Sequence, residues 1–184
     1  EAEIDGDALS EREIVLTTAM FVVAGVESLS SFMSIFAMNL AQMADVQDAL
    51  RKDPALMKPA IEESLRFNTS AQRFKRVLLI RDVEPHRQRM REGDVVVLAY
   101  RSANRGERQF ADVDKYDLHR NPKGHPGFGT GKQFCIGNAF ARMVMERAMN
   151  VFLEQMPQLS QGEAQLDRVP SSNFRSPVVL QLVT

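Results

Sequence analysis

From Ile14 to Met43 the chain carries a single charged residue, Glu27. Within that stretch Val15, Ala19, Val22, Val26, Leu29, Met33, Phe36, Leu40 and Met43 recur in alternating steps of four and three, which is helical periodicity. A coiled coil would flank such a seam with paired charges, but Thr18, Gly25, Phe32 and Asn39 stand there instead. About 20 apolar residues suffice to cross a membrane. Glu27 at the centre, followed by Ser28, Ser30, Ser31 and Ser34, makes that placement costly. The pattern therefore predicts one long helix over 11–44, buried on several sides, and no membrane span.

Further along, Pro54 to Phe67 reads as a second helix, with Met57, Ile61 and Leu65 on one side and Glu63 and Arg66 on another. Val77 to Ile80 and Val95 to Leu98 read as short strands, with Glu92-Gly93-Asp94 as a turn. The basic run Arg87-Gln88-Arg89-Met90-Arg91 reads as a solvated loop. Ser102 to Gly127 is polar, rich in turn formers and without periodicity. Asn138 to Met156 is predicted as a helix with the stripe Ala141, Met145, Ala148, Phe152 and Met156, and Val178 to Val183 as a terminal strand. The expected class is mainly α with small antiparallel β sheets.

Composition narrows the picture. An apolar content of 44% over 184 residues allows one globular unit with a real core. With 23 basic against 24 acidic residues there is no electrostatic footprint for nucleic acid. One cysteine excludes an internal disulfide framework and suits a reducing compartment. The opening residues Glu1, Glu3, Asp5 and Asp7 do not form a basic-then-apolar leader, so the expected location is cytoplasmic.

That cysteine, Cys135, lies in Phe128-Gly129-Thr130-Gly131-Lys132-Gln133-Phe134-Cys135-Ile136-Gly137, just before the predicted helix. Glycines let backbone approach a flat group closely and take φ > 0 without penalty. A thiol at a helix entrance has its anion favoured by the helix N-terminus. Haem iron is one partner that uses a single thiolate beneath a planar macrocycle. The plainer reading of a lone cysteine is a buried small hydrophobe, and the glycine frame weighs against it. A nucleotide-binding module built on Gly129 to Lys132 is a second alternative. A phosphate loop needs Gly, four residues, then Gly-Lys-(Ser/Thr), and Pro126 and Gln133 break that pattern at both ends.

The segment resembles the haem-binding loop of the cytochromes P-450, Phe-Gly-x-Gly-x-(His/Arg)-x-Cys-x-Gly followed by a helix. Phe128, Gly129, Gly131, Cys135 and Gly137 match, and Gln133 stands where His or Arg is usual. The resemblance implies Cys135 as the iron ligand, with Gln133 near a haem propionate and able to donate a hydrogen bond without charge. His125 and Arg76 resemble the family's other propionate partners. Ala24-Gly25-Val26-Glu27-Ser28 resembles the (Ala/Gly)-Gly-x-(Asp/Glu)-(Thr/Ser) oxygen-activation motif, with Ser28 in the usual Thr position. An acid in an apolar run must be paired or neutralised once buried, and Gly25 costs the helix about 1 kcal/mol relative to Ala. Both residues otherwise fit a core helix; the resemblance implies that Glu27 and Ser28 relay protons.

Glu63-Ser64-Leu65-Arg66 matches the family's Glu-x-x-Arg pair, a spacing that alone describes many exposed helices. Its usual third partner is an Arg in a downstream Phe-x-x-Pro-(Asp/Glu)-Arg-Phe segment. Here Phe110 to Tyr116 carries Lys115 at that place, which cannot supply bidentate geometry, and Arg120 is the other candidate. Asn104-Arg105 also matches a family stretch, with Gly106 in place of Asp. His86 and His119 have no metal-ligand spacing to another His or to Cys135.

Taken together, the resemblance implies the carboxy-terminal half of a soluble, bacterial-type cytochrome P-450, a single partial domain over 1–184 with its haem-thiolate loop and following helix at 124–156. It implies a monooxygenase that inserts one atom of O2 into a small apolar organic substrate, with electrons from a ferredoxin or flavoprotein. Ala71 to Phe74 and Ser172 to Phe174 are the expected pocket-lining segments from this half. A non-catalytic truncated remnant is the remaining alternative; it would show decay of Cys135 or its glycines, and none is visible.

Overall fold

The computed structural model describes residues 3–4, 7–78, 81–163 and 166–183. A two-stranded antiparallel ribbon, β1 (Glu3–Ile4) and β2 (Asp7–Ala8), leads into the long helix α1 (Glu11–Gln42). The helix begins at a capping box. Ser10 Oγ accepts from the Glu13 N–H at 3.3 Å, and the Glu13 carboxylate accepts from the Ser10 N–H at 2.9 Å. Ser10 and Glu13 stand at the required spacing, a start signal that the apolar period alone does not give.

The two halves of α1 live in different surroundings. Residues 31–40 hold all its buried positions, including Phe32, Ile35, Phe36, Met38 and Leu40. The preceding turns leave Ile14, Val15, Leu16, Met20, Phe21, Val22, Val23 and Val26 exposed. The sequence expectation of burial on several sides therefore holds only beyond residue 30. By length and hydropathy α1 could cross a membrane, and it is the one described helix that could. Its distal part instead forms the centre of a protein core.

That core is closed by three more helices. α2 (Ala44–Lys52), absent from the sequence reading, contributes Val46 and Leu50. The predicted second helix begins as a 3-10 turn at Pro54–Leu56, capped by Asp53, and continues as α3 (Met57–Phe67), with Met57, Ala60, Ile61 and Leu65 inward. Each of the buried Met, Ile and Leu side chains contributes roughly 1.5–3 kcal/mol. The last helix, α5 (Asn138–Gln155), places Met145, Met149 and Leu153 against the same cluster. Its end is held by Arg51 of α2, which donates to the carbonyls of Leu153 and Met156, a cation where the helix dipole is negative.

Strand β3 spans Phe74–Val77 and pairs antiparallel with β4 (Val95–Leu98), Phe74 opposite Leu98 and Val77 opposite Val95. The expected first strand, Val77 to Ile80, is thus displaced toward the N-terminus; Leu79 and Ile80 lie outside the described residues. The anchor is aromatic. Phe74 packs its ring 5.7 Å from Tyr100 and 5.9 Å from Phe174, whereas Val77 is exposed. Tyr100 starts the short helix α4 (Tyr100–Ala103). The terminal strand is also shorter than expected: β6 (Leu182–Val183) pairs with β5 (Ser160–Gln161), while Val178 donates its N–H to Asp167 and leaves its side chain exposed.

The basic run between β3 and β4 folds into a tight hairpin. Val83 and Met90 exchange backbone hydrogen bonds at 2.9 and 2.8 Å, and the Gln88 N–H donates to the Pro85 carbonyl at 3.0 Å. His86 (φ 51°) and Arg87 (φ 64°) occupy the two central positions in the left-handed region, the geometry of a type I′ turn that favours Asn-Gly. Replacing His86-Arg87 by Asn-Gly is expected to raise stability by about 1–2 kcal/mol. A denaturation midpoint that does not rise would show that the turn stores no such strain.

Candidate functional site

The firmest part of the site is an ion pair. Glu63 and Arg66, one turn apart on α3, are both wholly buried. Arg66 donates from Nε and Nη2 to the two Glu63 oxygens at 2.9 and 2.7 Å. Its other N–H groups reach the carbonyls of Asn104, Val113 and Lys115 at 3.1, 3.0 and 3.3 Å. All five guanidinium donors are used. Glu63 Oε1 also accepts from the Asp117 N–H and from Arg120 Nε, each at 3.1 Å. Arg120, not Lys115, is the third charged partner; Lys115 contributes its carbonyl and leaves its side chain in solvent.

This network holds a long stretch without regular structure. Arg120 donates to the carbonyls of Ala111, Asp112 and Lys115. Arg105 donates to Phe67, Val113 and Asp114 and lies 4.1 Å above the Phe67 ring. Buried Asn104 gives its amide to Leu65 and Thr69. Tyr116 donates to the Ala60 carbonyl at 2.8 Å and shares a 2.7 Å bond with Ser64.

The chain then reaches the cysteine loop. A 3-10 turn at Pro126–Phe128 ends at Gly129 (φ 77°), and a second, Gly131–Gln133, starts at φ 63°. Both glycines use the left-handed region that side chains avoid. The loop closes where the Cys135 N–H donates to the Phe128 carbonyl at 2.9 Å. The Phe128 and Phe134 rings meet edge to face at 6.4 Å. Cys135 is half-buried, and no described residue hydrogen-bonds its Sγ. Apolar Phe134, Ile136 and Phe140 are exposed around it.

Behind the loop lies a polar group that the sequence did not reveal. Glu62 accepts from Arg142 of α5 and shares a 2.9 Å hydrogen bond with His125 Nε2. Burial pushes the Glu62 carboxyl up, but hydrogen bonds from His125 and Arg142, with the charge of Arg142, outweigh it and bring its pKa down to about 2. His125 Nδ1 accepts the Gly127 N–H at 3.1 Å. Both ring nitrogens are therefore engaged within the protein. In this chain His125 thus sits between Glu62 and the Gly127 N–H, at the entrance to the cysteine loop. Glu62 and Arg142 leave no local pattern in the sequence, because their contact joins segments 80 residues apart.

Of the remaining sequence-derived candidates, Gln133 lies within this loop, while Ala24, Gly25, Glu27, Ser28 and Arg76 lie elsewhere in the chain. A Cβ at Gly25 or at Gly131 would meet no atom within 4 Å, so both backbones are open to a close neighbour. Glu27 is exposed within this chain, on the stretch of α1 whose apolar side chains are also uncovered. Ser28 Oγ donates to the Ala24 carbonyl, one turn back on α1. Arg76 bonds the Lys75 carbonyl at 2.9 Å, and Gln133 is exposed. No described hydrogen bond or ion pair joins Glu27, Arg76 and Cys135. Ala71 to Phe74 and Ser172 to Phe174 do come together: Gln72 N–H donates to Asn173 at 2.7 Å and Arg73 Nε to Ser172 at 3.0 Å.

The donor set bears on the cofactor. Among the described residues no group of three His, Cys, Asp or Glu could hold a bare metal ion. A single unpartnered thiol, framed by left-handed glycines and exposed apolar side chains, fits a flat apolar group that brings its metal's other ligands with it.

The chain belongs to the cytochrome P450 family, whose sequence model matches residues 1–174. It is 35% identical over 158 residues to the steroid C26-monooxygenase of Mycobacterium tuberculosis, covering 86% of this chain and 42% of that protein. It is 38% identical over 159 residues to the methyl-branched lipid omega-hydroxylase of Mycobacterium bovis, covering 85% of this chain and 37% of that one. The fold matches crystalline P450BioI, solved in complex with hexadec-9Z-enoic acid ligated acyl carrier protein. The TM-score is 0.91 at 31% identity, over 96% of this chain and 46% of that chain. The chain thus spans about two fifths of the length of the curated relatives it matches.

The buried pair gives a stability test. Glu63→Ala or Arg66→Ala is expected to cost about 3–5 kcal/mol, because each strands a buried charge. Lys115→Ala should stay within about 0.5 kcal/mol, as a change at an exposed side chain. Urea midpoints measure all three; a large loss in the Lys115 variant would return that residue to the network.

Proposed function

We propose that this chain is the carboxy-terminal half of a haem-thiolate monooxygenase that inserts one atom of O2 into an apolar organic substrate. The observation that carries the proposal is the Cys135 loop, with its free half-buried sulfur, left-handed glycines and apolar surround. Membership of the family implies a haem-thiolate cofactor. When bound, haem supplies the redox-active iron at which O2 is activated.

The chain's own residues then have distinct tasks. Cys135 ligates the iron, and Phe128, Gly129, Gly131 and Gly137 let the loop backbone lie close to the ring. Ala24 and Gly25 keep one face of α1 open. Glu27 and Ser28 relay protons, a task suited to a carboxylate next to a hydroxyl that retains its acceptor capacity. His125, Arg76 and the neutral Gln133 lie on the segments that would meet the cofactor's carboxylates. The relatives' names, steroid monooxygenase and lipid hydroxylase, support an apolar substrate held against Phe74 and Phe174. Electrons would come from a ferredoxin or flavoprotein in the cytoplasm. The exposed apolar part of α1 is where the amino-terminal half would pack.

In the full-length polypeptide, the reduced carbon-monoxide complex is expected to show the red-shifted Soret band of thiolate-ligated haem, and Cys135→Ser to lose it. A serine variant that keeps the band would sink the assignment. Glu27→Gln and Ser28→Ala should spare substrate binding but lower product formed per electron consumed and raise hydrogen peroxide release, with a rate loss of about 10²–10⁴-fold at most. Unchanged coupling in both would return these residues to helix packing.

A further inference from the structure

The Glu62 cluster continues in both directions into the cysteine loop. Arg142 Nη1 donates to Asn138 Oδ1 at 2.8 Å, and Asn138 Nδ2 donates to the Cys135 carbonyl at 2.8 Å. The same guanidinium lies 4.5 Å above the Phe128 ring. On the other side, His125 passes from Glu62 to the Gly127 N–H. One chain of contacts therefore runs from the Cys135 carbonyl through Asn138, Arg142, Glu62 and His125 to Gly127. It touches both ends of the loop and ties them to α3, one residue before the buried Glu63. The tautomer follows from the bonds: Nδ1 accepts, so Nε2 carries the proton that Glu62 receives. There is little slack at Gly127, where a Cβ would lie 2.8 Å from His125 Nδ1 and 3.1 Å from the Leu65 carbonyl.

We propose that Glu62, His125, Arg142 and Asn138 are positioning residues for Cys135, a side-chain clamp that fixes both ends of the thiol loop against α3 and so holds the sulfur in ligating position. This deepens the proposed function and rests on Cys135 as the iron ligand. The residues touch neither iron nor substrate; they act on the ligand through its own carbonyl and through the Phe128 segment to which it is bonded. Outer partners of a metal ligand commonly carry a 10–100-fold effect on affinity, roughly 1.4–2.7 kcal/mol.

The imidazole makes the clamp separable from simple capping of the Pro126–Phe128 turn. In His125→Asn the side-chain oxygen stands near the place of Nδ1, keeping the acceptor for Gly127 and losing the link to Glu62. In His125→Gln the amide reaches the place of Nε2, keeping the link and losing the cap. Haem transfer from the full-length holoprotein to excess apomyoglobin is followed together with the carbon-monoxide spectrum. His125→Asn is expected to speed haem release by about 10–100-fold and to convert the red-shifted Soret band to that of a neutral-thiol complex. His125→Gln should remain near wild type. Arg142→Lys, which keeps the charge but loses the fork to Glu62 and Asn138, should follow the asparagine variant. The reverse order of the two histidine variants, equal loss in both, or no effect in either would overturn the clamp. A Soret band that survives Cys135→Ser would instead overturn the ligand assignment beneath it.

Discussion

A carboxylate and a guanidinium sealed from water on the last turns of α3 are the constraint around which the site is built. Glu63 and Arg66 could not stay charged there without partners, because the cost of removing two ions from water is several kcal/mol each. Their partners are mostly backbone carbonyls of residues 104–115, a segment without hydrogen-bonded ladders of its own. The pair thereby acts as a substitute for secondary structure. It gives the carbonyls of an irregular chain a set of fixed donors, and Arg120 ties the following residues to the same carboxylate.

What could be read from the sequence follows from where the information is local. The long helix was legible because its apolar period runs through thirty residues, and the cysteine loop because glycines and a thiol at fixed offsets have few other uses. The Glu63 and Arg66 spacing was visible, but burial gives it meaning and burial is a property of the whole fold. Choosing Arg120 over Lys115 needed the carbonyl contacts, which carry no residue-type signal at all. β3 was misplaced because the apolar run after Val77 is more conspicuous than the aromatic packing of Phe74. α2 is short and polar, with Val46 and Leu50 one turn apart as its main signal.

His125 shows the same limit from the other side. The sequence shows only a histidine at a fixed distance from the glycines. Its environment turns it inward, because a carboxylate and a backbone N–H already satisfy both nitrogens. A motif fixes which residue is present, while the neighbours decide which of its atoms remain available.

The unequal burial of α1 marks a division of labour along one helix. Residues 31–40 are held by the core of this chain, while the apolar side chains from Ile14 to Val26 have no cover from it. Gly25, Glu27 and Ser28 stand where one stretch passes into the other. The turn that carries the acid–hydroxyl pair is therefore a seam: one of its walls comes from this chain, and the other from whatever packs on Ile14 to Val26.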